Sequence, residues 1–165
     1  MTFSRAHEKV LRKFIYCEVE FVLVGGHAAI YHGVQRTTSD LDILVRPTIK
    51  NGKRIIEAFS LLGLEAKDLT PEDFTVSQFF NFGMKPSSVD IMNFMVGISL
   101  DEVFANAIYV KIDELRLKVI DIRDLLANKK NIKRNTEKNL IDQQDIAALT
   151  RIIEWKEKGK WNFDF

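Results

Sequence analysis

The chain has 165 residues, 46% of them hydrophobic and 28% charged, and a formal net charge of +1. That balance suits one folded domain with its own core and excludes a wholly disordered chain. The near-zero charge excludes a protein-wide basic field, so any nucleic-acid surface must be local.

The single cysteine, Cys17, makes no internal disulfide and no cysteine zinc cage. Among apolar neighbours it is expected to be a buried small hydrophobe. The opening residues MTFSRAHEKVLRKF are charged and lack the apolar core of a signal peptide. No uncharged stretch approaches the roughly 20 residues of a membrane span. A reduced, cytoplasmic setting without membrane association is expected.

Residues 4–15 have apolar side chains at helical spacing (Val10, Leu11, Phe14, Ile15) and charges around them. Residues 21–24 form a short apolar run stopped by Gly25-Gly26, the pattern of a buried strand. A helix is expected from Ala28 to Tyr31, with Gly33 as its stop. Residues 40–45 alternate, with Leu41, Ile43 and Val45 on one side and Asp40, Asp42 and Leu44 on the other. An amphipathic helix follows over 51–62, closed by Gly63.

Residues 68–73, with Pro71, suggest a loop or turn or else a helix start, and the aromatic run 74–82 suggests a strand. Lys85-Pro86-Ser87-Ser88 is a turn signal before a second strand, 89–94. Residues 99–106 make a short helix capped by Ser99, with Glu102 placed as in a capping box. Residues 108–112 and 115–120 are β-like and suit a hairpin. Asp121 opens a helix to about Ala127. Residues 128–138 are polar and basic, a pattern more typical of a solvated loop than of an RNA contact. Residues 140–155 form a long helix, and Trp161, Phe163 and Phe165 are expected to pack back or mark an interface. The whole is a mixed α/β (α+β) chain with helices at its C-terminal end: residues 1–120 as one unit and 121–165 as a helical extension on it.

The chemistry concentrates in residues 22–45. Asp40 and Asp42 stand at i and i+2, so on a strand their side chains leave one face with Cα atoms roughly 6.5 Å apart. Two such carboxylates suit a magnesium site completed by phosphates and water. A two-metal site needs a further carboxylate. Asp90, solitary in an apolar run, is the candidate. Gly25-Gly26 sits between strand and helix, where missing side chains allow backbone N–H groups to approach phosphate oxygens. Arg36 lies in the loop before Asp40. His7, His27 and His32 have no metal-ligand spacing and read as surface or hydrogen-bonded core residues, with His27, directly after the glycines, a candidate border of the phosphate site. Phe79, Phe80, Phe82 and Phe94 read as core.

Gly25, Gly26, Asp40, Asp42 and Asp90 resemble the pattern of the nucleotidyltransferase superfamily typified by DNA polymerase beta. That pattern is a glycine pair, then Asp-x-Asp, then a distant third carboxylate. With Arg36 and Thr38 included, the string looks like the minimal bacterial and archaeal members, among them toxins of toxin–antitoxin systems. The resemblance covers residues 20–95. Beyond Asp121 it is partial: Lys129 or Lys130 matches a lysine of toxin-type members, and Asp142 and Asp145 keep an Asp-x-x-Asp spacing. Ile141 stands where that pattern has lysine.

The resemblance implies a small mixed sheet with helices packed on one face. It implies magnesium- or manganese-dependent transfer of a nucleoside monophosphate from ATP or another nucleoside triphosphate, with pyrophosphate leaving. The acceptor would be a hydroxyl or phosphate on RNA, a protein or a small molecule, and an antitoxin would be a partner. Asp40, Asp42 and Asp90 would hold metal and carry catalysis. Gly25, Gly26, Arg36, Ser39 and Lys129 would bind nucleotide. A catalytically silent nucleotide- or partner-binding module on the same fold competes with this reading. So, more weakly, does a small hydrolase or calcium-binding domain.

Overall fold

The computed structural model describes residues 3–83 and 86–162, apart from the side chains of 160–162. Lys85 of the turn signal, the side chain of Trp161, and Phe163 and Phe165 lie outside the described residues. Helix α1 (Arg5–Tyr16) begins where the Ser4 hydroxyl accepts from His7 N–H, and it buries Val10, Leu11 and Phe14. Strand β1 (Phe21–Val24) is buried at every position. It passes directly into α2 (Gly25–Tyr31), so this helix starts at the glycine pair and not at Ala28. Gly25 makes that possible with φ +63°, a left-handed conformation that turns strand into helix without a linker.

Strand β2 (Leu41–Val45) and helix α3 (Ile49–Leu61) follow, the helix capped by Thr48. A 3-10 turn (Pro71–Thr75) then takes Phe74, and β3 is only Phe79–Phe82. The aromatic run is thus shorter as a strand than its composition suggests. Thr70 and Asp73 close a capping box around Pro71 and commit the first part to a turn. Strand β4 (Val89–Met92), α4 (Leu100–Asn106) and the hairpin β5 (Ile108–Ile112) with β6 (Leu115–Val119) complete the sheet. Helix α5 (Ile122–Asn131) runs four residues past Ala127, and α6 spans Glu137–Asn162.

The six strands lie in the order β3-β4-β2-β1-β6-β5. The β1–β6 and β2–β4 pairs are parallel and the others antiparallel. Alternation sends Leu41, Ile43, Val89 and Ile91 into a continuous buried cluster that also takes Leu11, Phe14, Ile55 and Phe59. Leu125 and Leu149 belong to the same cluster, so the last two helices share its core. Among the described residues no helix is long and apolar enough to cross a membrane.

Two polar devices hold the frame that carries β2 and the end of α5. Asn51, 1% exposed, accepts from Glu20 N–H (2.7 Å) and donates to Glu20 C=O (3.0 Å) and Arg46 C=O (2.9 Å). It ties the entry of β1 to the exit of β2. The second device is ionic. Arg36 donates through Nε and Nη2 to the two oxygens of Asp145 on α6 (2.8 and 2.9 Å). Lys129 of α5 lies 2.8 Å from Asp145 and 3.3 Å from Asp142. Asp142 and Asp145 stand one helical turn apart on α6 and face inward together. The basic segment is therefore not wholly a solvated loop: Lys129 is buried inside an ion cluster.

These devices generate two expectations. Asn51→Ala strands backbone groups of Glu20 and Arg46 and is expected to cost about 2 kcal/mol in a urea melt. Asp145→Ala leaves Arg36 and Lys129 short of their buried partner and is expected to cost about 3 kcal/mol. The exposed Glu8–Arg12 pair is the comparison, worth about 0.5 kcal/mol or less. Burial alone raises the Asp145 pKa, but hydrogen bonds and charge from Arg36 and Lys129 outweigh it and hold the carboxyl below its ordinary 3.8. Its stabilisation is therefore full above about pH 4 and is lost as pH falls below that value. Acid titrations of wild type and Asp145→Ala should converge there.

Candidate active site

The pairing register aligns the carboxylates. Asp42 pairs with Val24 on β1 and with Asp90 on β4, and Asp90 pairs with Asn81 on β3. Residues directly opposite across strands share a face, so Val24, Asp42, Asp90 and Asn81 form one row across four strands. Asp40 stands just before β2, and the Ser88 hydroxyl donates to its Oδ1. Asn81 Nδ2 donates to Asp90 Oδ1 at 2.5 Å. The row forms part of the wall of a cavity of about 460 Å³ that also takes in Gly25, Gly26, Arg36, Asp40 and Lys129. Of the residues that the resemblance assigns to metal, catalysis or nucleotide, Ser39 alone does not line it. Its hydroxyl lies 3.5 Å from Asp40 Oδ1.

The glycines fit this wall closely. A Cβ on Gly25 would overlap the Asp42 carboxylate, 2.7 Å from its Cγ. A Cβ on Gly26 would lie 2.8 Å from Thr38 Oγ1 and 3.0 Å from Arg36 Nη2. Gly26 N–H donates to Asp42, so this amide supports the acid row. Arg36 also donates to Thr37 C=O at 3.0 Å, which fixes its guanidinium beside Gly26.

Asp42 retains some solvent contact, yet its carboxyl is crowded by protein. Burial, followed by the negative charge of Asp90, pushes its pKa up to about 6. Asp40 adds to the rise and the Gly26 amide opposes it. Two carboxylates forced together in this way can share a proton or a cation. Among the described residues four cations and four carboxylates line the cavity, and Asp145 lies behind it. Among these residues a polyphosphate therefore meets no surplus of positive side chains.

The donor set fits a hard dication of the magnesium type, which binds through one or two carboxylates, waters and substrate phosphates. It does not fit an all-protein cage: among the described residues no three His, Cys, Asp or Glu side chains converge as a closed ligand group.

Sequence reasoning missed several residues here. His27 is buried without a hydrogen-bond partner on either ring nitrogen, tilted against Phe3 and edge-on to His7. Burial, then the charges of His7 and Arg36, lower its pKa to about 4, so the ring is neutral. It is neither a surface nor a hydrogen-bonded histidine. His7 Nε2 donates to Ser88 C=O and His32 Nε2 to Ile120 C=O. Phe80 and Phe82 pack on Phe74 and Phe59 as core residues, but Phe79 and Phe94 open on the cavity, 55% and 40% exposed. Alternation along β3 was the available signal for separating Phe79 from Phe80 and Phe82.

No protein-family model and no curated protein sequence matches the chain. Solved structures do. TM1012 from Thermotoga maritima, whose assignment as a nucleotidyltransferase is itself provisional, aligns over 98% of this chain and 92% of its own. The identity is 14% and the TM-score 0.51. The lincosamide antibiotic adenylyltransferase LnuA, solved with lincomycin bound, aligns over 92% of this chain and 98% of its own. Here the identity is 14% and the TM-score 0.53. The chain thus shares the fold of these two structures over nearly their full lengths.

Proposed function

We propose that the protein transfers a nucleoside monophosphate from a nucleoside triphosphate to a hydroxyl acceptor. The observation that carries this is the pairing of Asp42 with Asp90 across parallel strands, beside Asp40 and against a glycine turn that has no room for a side chain. Asp40, Asp42 and Asp90 would hold magnesium or manganese, which when bound polarises the α-phosphate and offsets charge on the leaving pyrophosphate.

The chain's own residues do the rest. Gly25 and Gly26 let the triphosphate approach the end of β1, with Arg36 and Lys129 on the same side. Ser39 lies behind Asp40 and supports it. Asp90, oriented by Asn81, takes the proton of the acceptor hydroxyl. The oxygen then forms a bond to the α-phosphorus, the bond from that phosphorus to the bridging oxygen breaks, and pyrophosphate departs. LnuA, an adenylyltransferase with an antibiotic bound, supports ATP as donor and a small molecule as acceptor. The sequence resemblance to toxin-type members supports an RNA or protein acceptor and an antitoxin partner.

A second reading is a module that binds nucleotide or a partner without catalysis. Two observations favour it: the absence of a closed three-ligand group among the described residues, and the engagement of Arg36 by Asp145. Pyrophosphate release from magnesium-ATP in the presence of acceptor separates the readings.

Asp42→Asn is expected to lower transfer at least about a thousandfold, on the scale of losing a principal electrostatic group. In metal-free buffer the variant should be more stable than wild type, by about 2 kcal/mol at pH 7. The sign follows from the raised Asp42 pKa: wild type loses stability as pH rises through the window from 3.8 to about 6. Magnesium should stabilise wild type in a thermal melt and leave the variant unmoved. Retained transfer in Asp42→Asn would remove the catalytic reading. Gly25→Ala, strained at positive φ and pressed on Asp42, is expected to abolish transfer and to cost about 1–2 kcal/mol of stability.

A further inference from the structure

The triphosphate and the acid row leave one wall of the cavity without a role. Two residues further along the strands, on the same sheet face, runs the row Leu44–Met92–Phe79. It lies about 6.5–7 Å from the acid row, two strand residues away. Leu44 is fully buried, Met92 is partly covered, and Phe79 on the edge strand stands 55% exposed. Phe94 and Val96, 40% and 47% exposed, continue the surface beyond β4. All but Leu44 line the cavity. The result is an apolar shelf that begins beside Asp90 and leads away from the glycine turn.

We propose that this shelf seats the acceptor, and that the acceptor is a small molecule carrying its hydroxyl on an apolar body. The inference rests on the nucleotidyl-transfer reading and names the substrate class for it. The sheet order supplies the direction. The glycines that admit phosphate end β1, Asp42 is on the next strand, and Asp90 is one strand further out. A hydroxyl held at Asp90 therefore has its body over Met92, Phe79 and Phe94.

Charge supplies the class. The cavity's cations, Arg36, Lys129, Arg134 and Lys138, come from the loop before β2 and from the α5–α6 region. Neither Phe79–Phe82 nor residues 89–98 contain a lysine or arginine. A polynucleotide acceptor needs its phosphates neutralised along its track, with aromatics as an addition to that charge and not a substitute for it. The shelf offers the aromatics without the charge. A cavity of about 460 Å³ is also in the range of small-ligand sites.

The test is direct binding of an uncharged apolar probe, N-phenyl-1-naphthylamine, to the full chain. It is titrated with and without saturating magnesium and a non-hydrolysable ATP analogue. Wild type is compared with Phe79→Ser and with Val76→Ser, an exposed apolar residue off the cavity. Phe79→Ser should weaken probe binding roughly tenfold or more, the loss expected for one well-covered aromatic contact. Val76→Ser should not. Binding should persist beside the nucleotide analogue.

Expulsion of the probe by nucleotide would give the shelf to the nucleobase and overturn the proposal, as would unchanged binding in Phe79→Ser. Failure of the analogue itself to bind, with the probe still bound, would instead break the underlying nucleotidyl-transfer reading. With α-labelled ATP and a cell extract, label in a low-molecular-weight conjugate that is retained on a reversed-phase column longer than AMP supports the acceptor class. Label in RNA or protein overturns it.

Discussion

The parallel pairing of β2 on β4 sets Asp42 directly opposite Asp90, and most of the structure near the site answers that one juxtaposition. Like charges placed opposite one another weaken a sheet, and partial burial makes the repulsion worse. A register slip of one residue would relieve it, but would turn Leu41, Ile43 and Ile91 out of the core. The hydrophobic pattern therefore enforces the unfavourable pair. Around it stand the few groups that temper it: the Gly26 amide on Asp42, Asn81 on Asp90, and the Ser88 hydroxyl on Asp40. Gly25 is held to glycine twice over, by its φ and by the carboxylate against which a side chain would press.

What the sequence made legible was local. Alternation over six residues put Asp40 and Asp42 on one strand face; the structure keeps Asp42 there and leaves Asp40 just before β2. An aspartate in an otherwise apolar run marked Asp90. Strand β1, the two-strand hairpin and the caps at Ser99 and Asp121 follow from short-range pattern and local hydrogen bonding. What was not legible was long-range or conformational. Arg36 reaches Asp145 across 109 residues, and no period in either segment announces it. Lys129 looked like one member of a basic run because burial is decided by what α6 brings to it. The helix start at Gly25 turned on a left-handed φ, which composition permits but does not require. The faces of Phe79 and Phe80 follow from alternation, yet only the packing of Phe74 against Phe80 shows which face is the core.

The ion cluster behind the cavity changes how the cations of the site act. Arg36 and Lys129 are not loose side chains waiting for an anion; both already touch Asp145, which is fully buried. Their charge is largely spent locally, so long-range attraction for a polyphosphate is weak. Their orientation, in exchange, is fixed before a ligand arrives, and preorganised dipoles and charges need not be rearranged as reaction charge develops. Arg36 keeps N–H donors that neither Asp145 nor Thr37 occupies, since only three of its five are engaged. The same pairs make α6 part of the site's frame although its own Asp145 faces away from the cavity. If the protein acts as proposed, a cavity with balanced side-chain charge, an acid row on one wall and clamped cations on another would discriminate against a bare polyphosphate. It would favour one that arrives with its own divalent counter-ion, because that ion could settle against Asp42 and Asp90 while the phosphates meet the oriented donors.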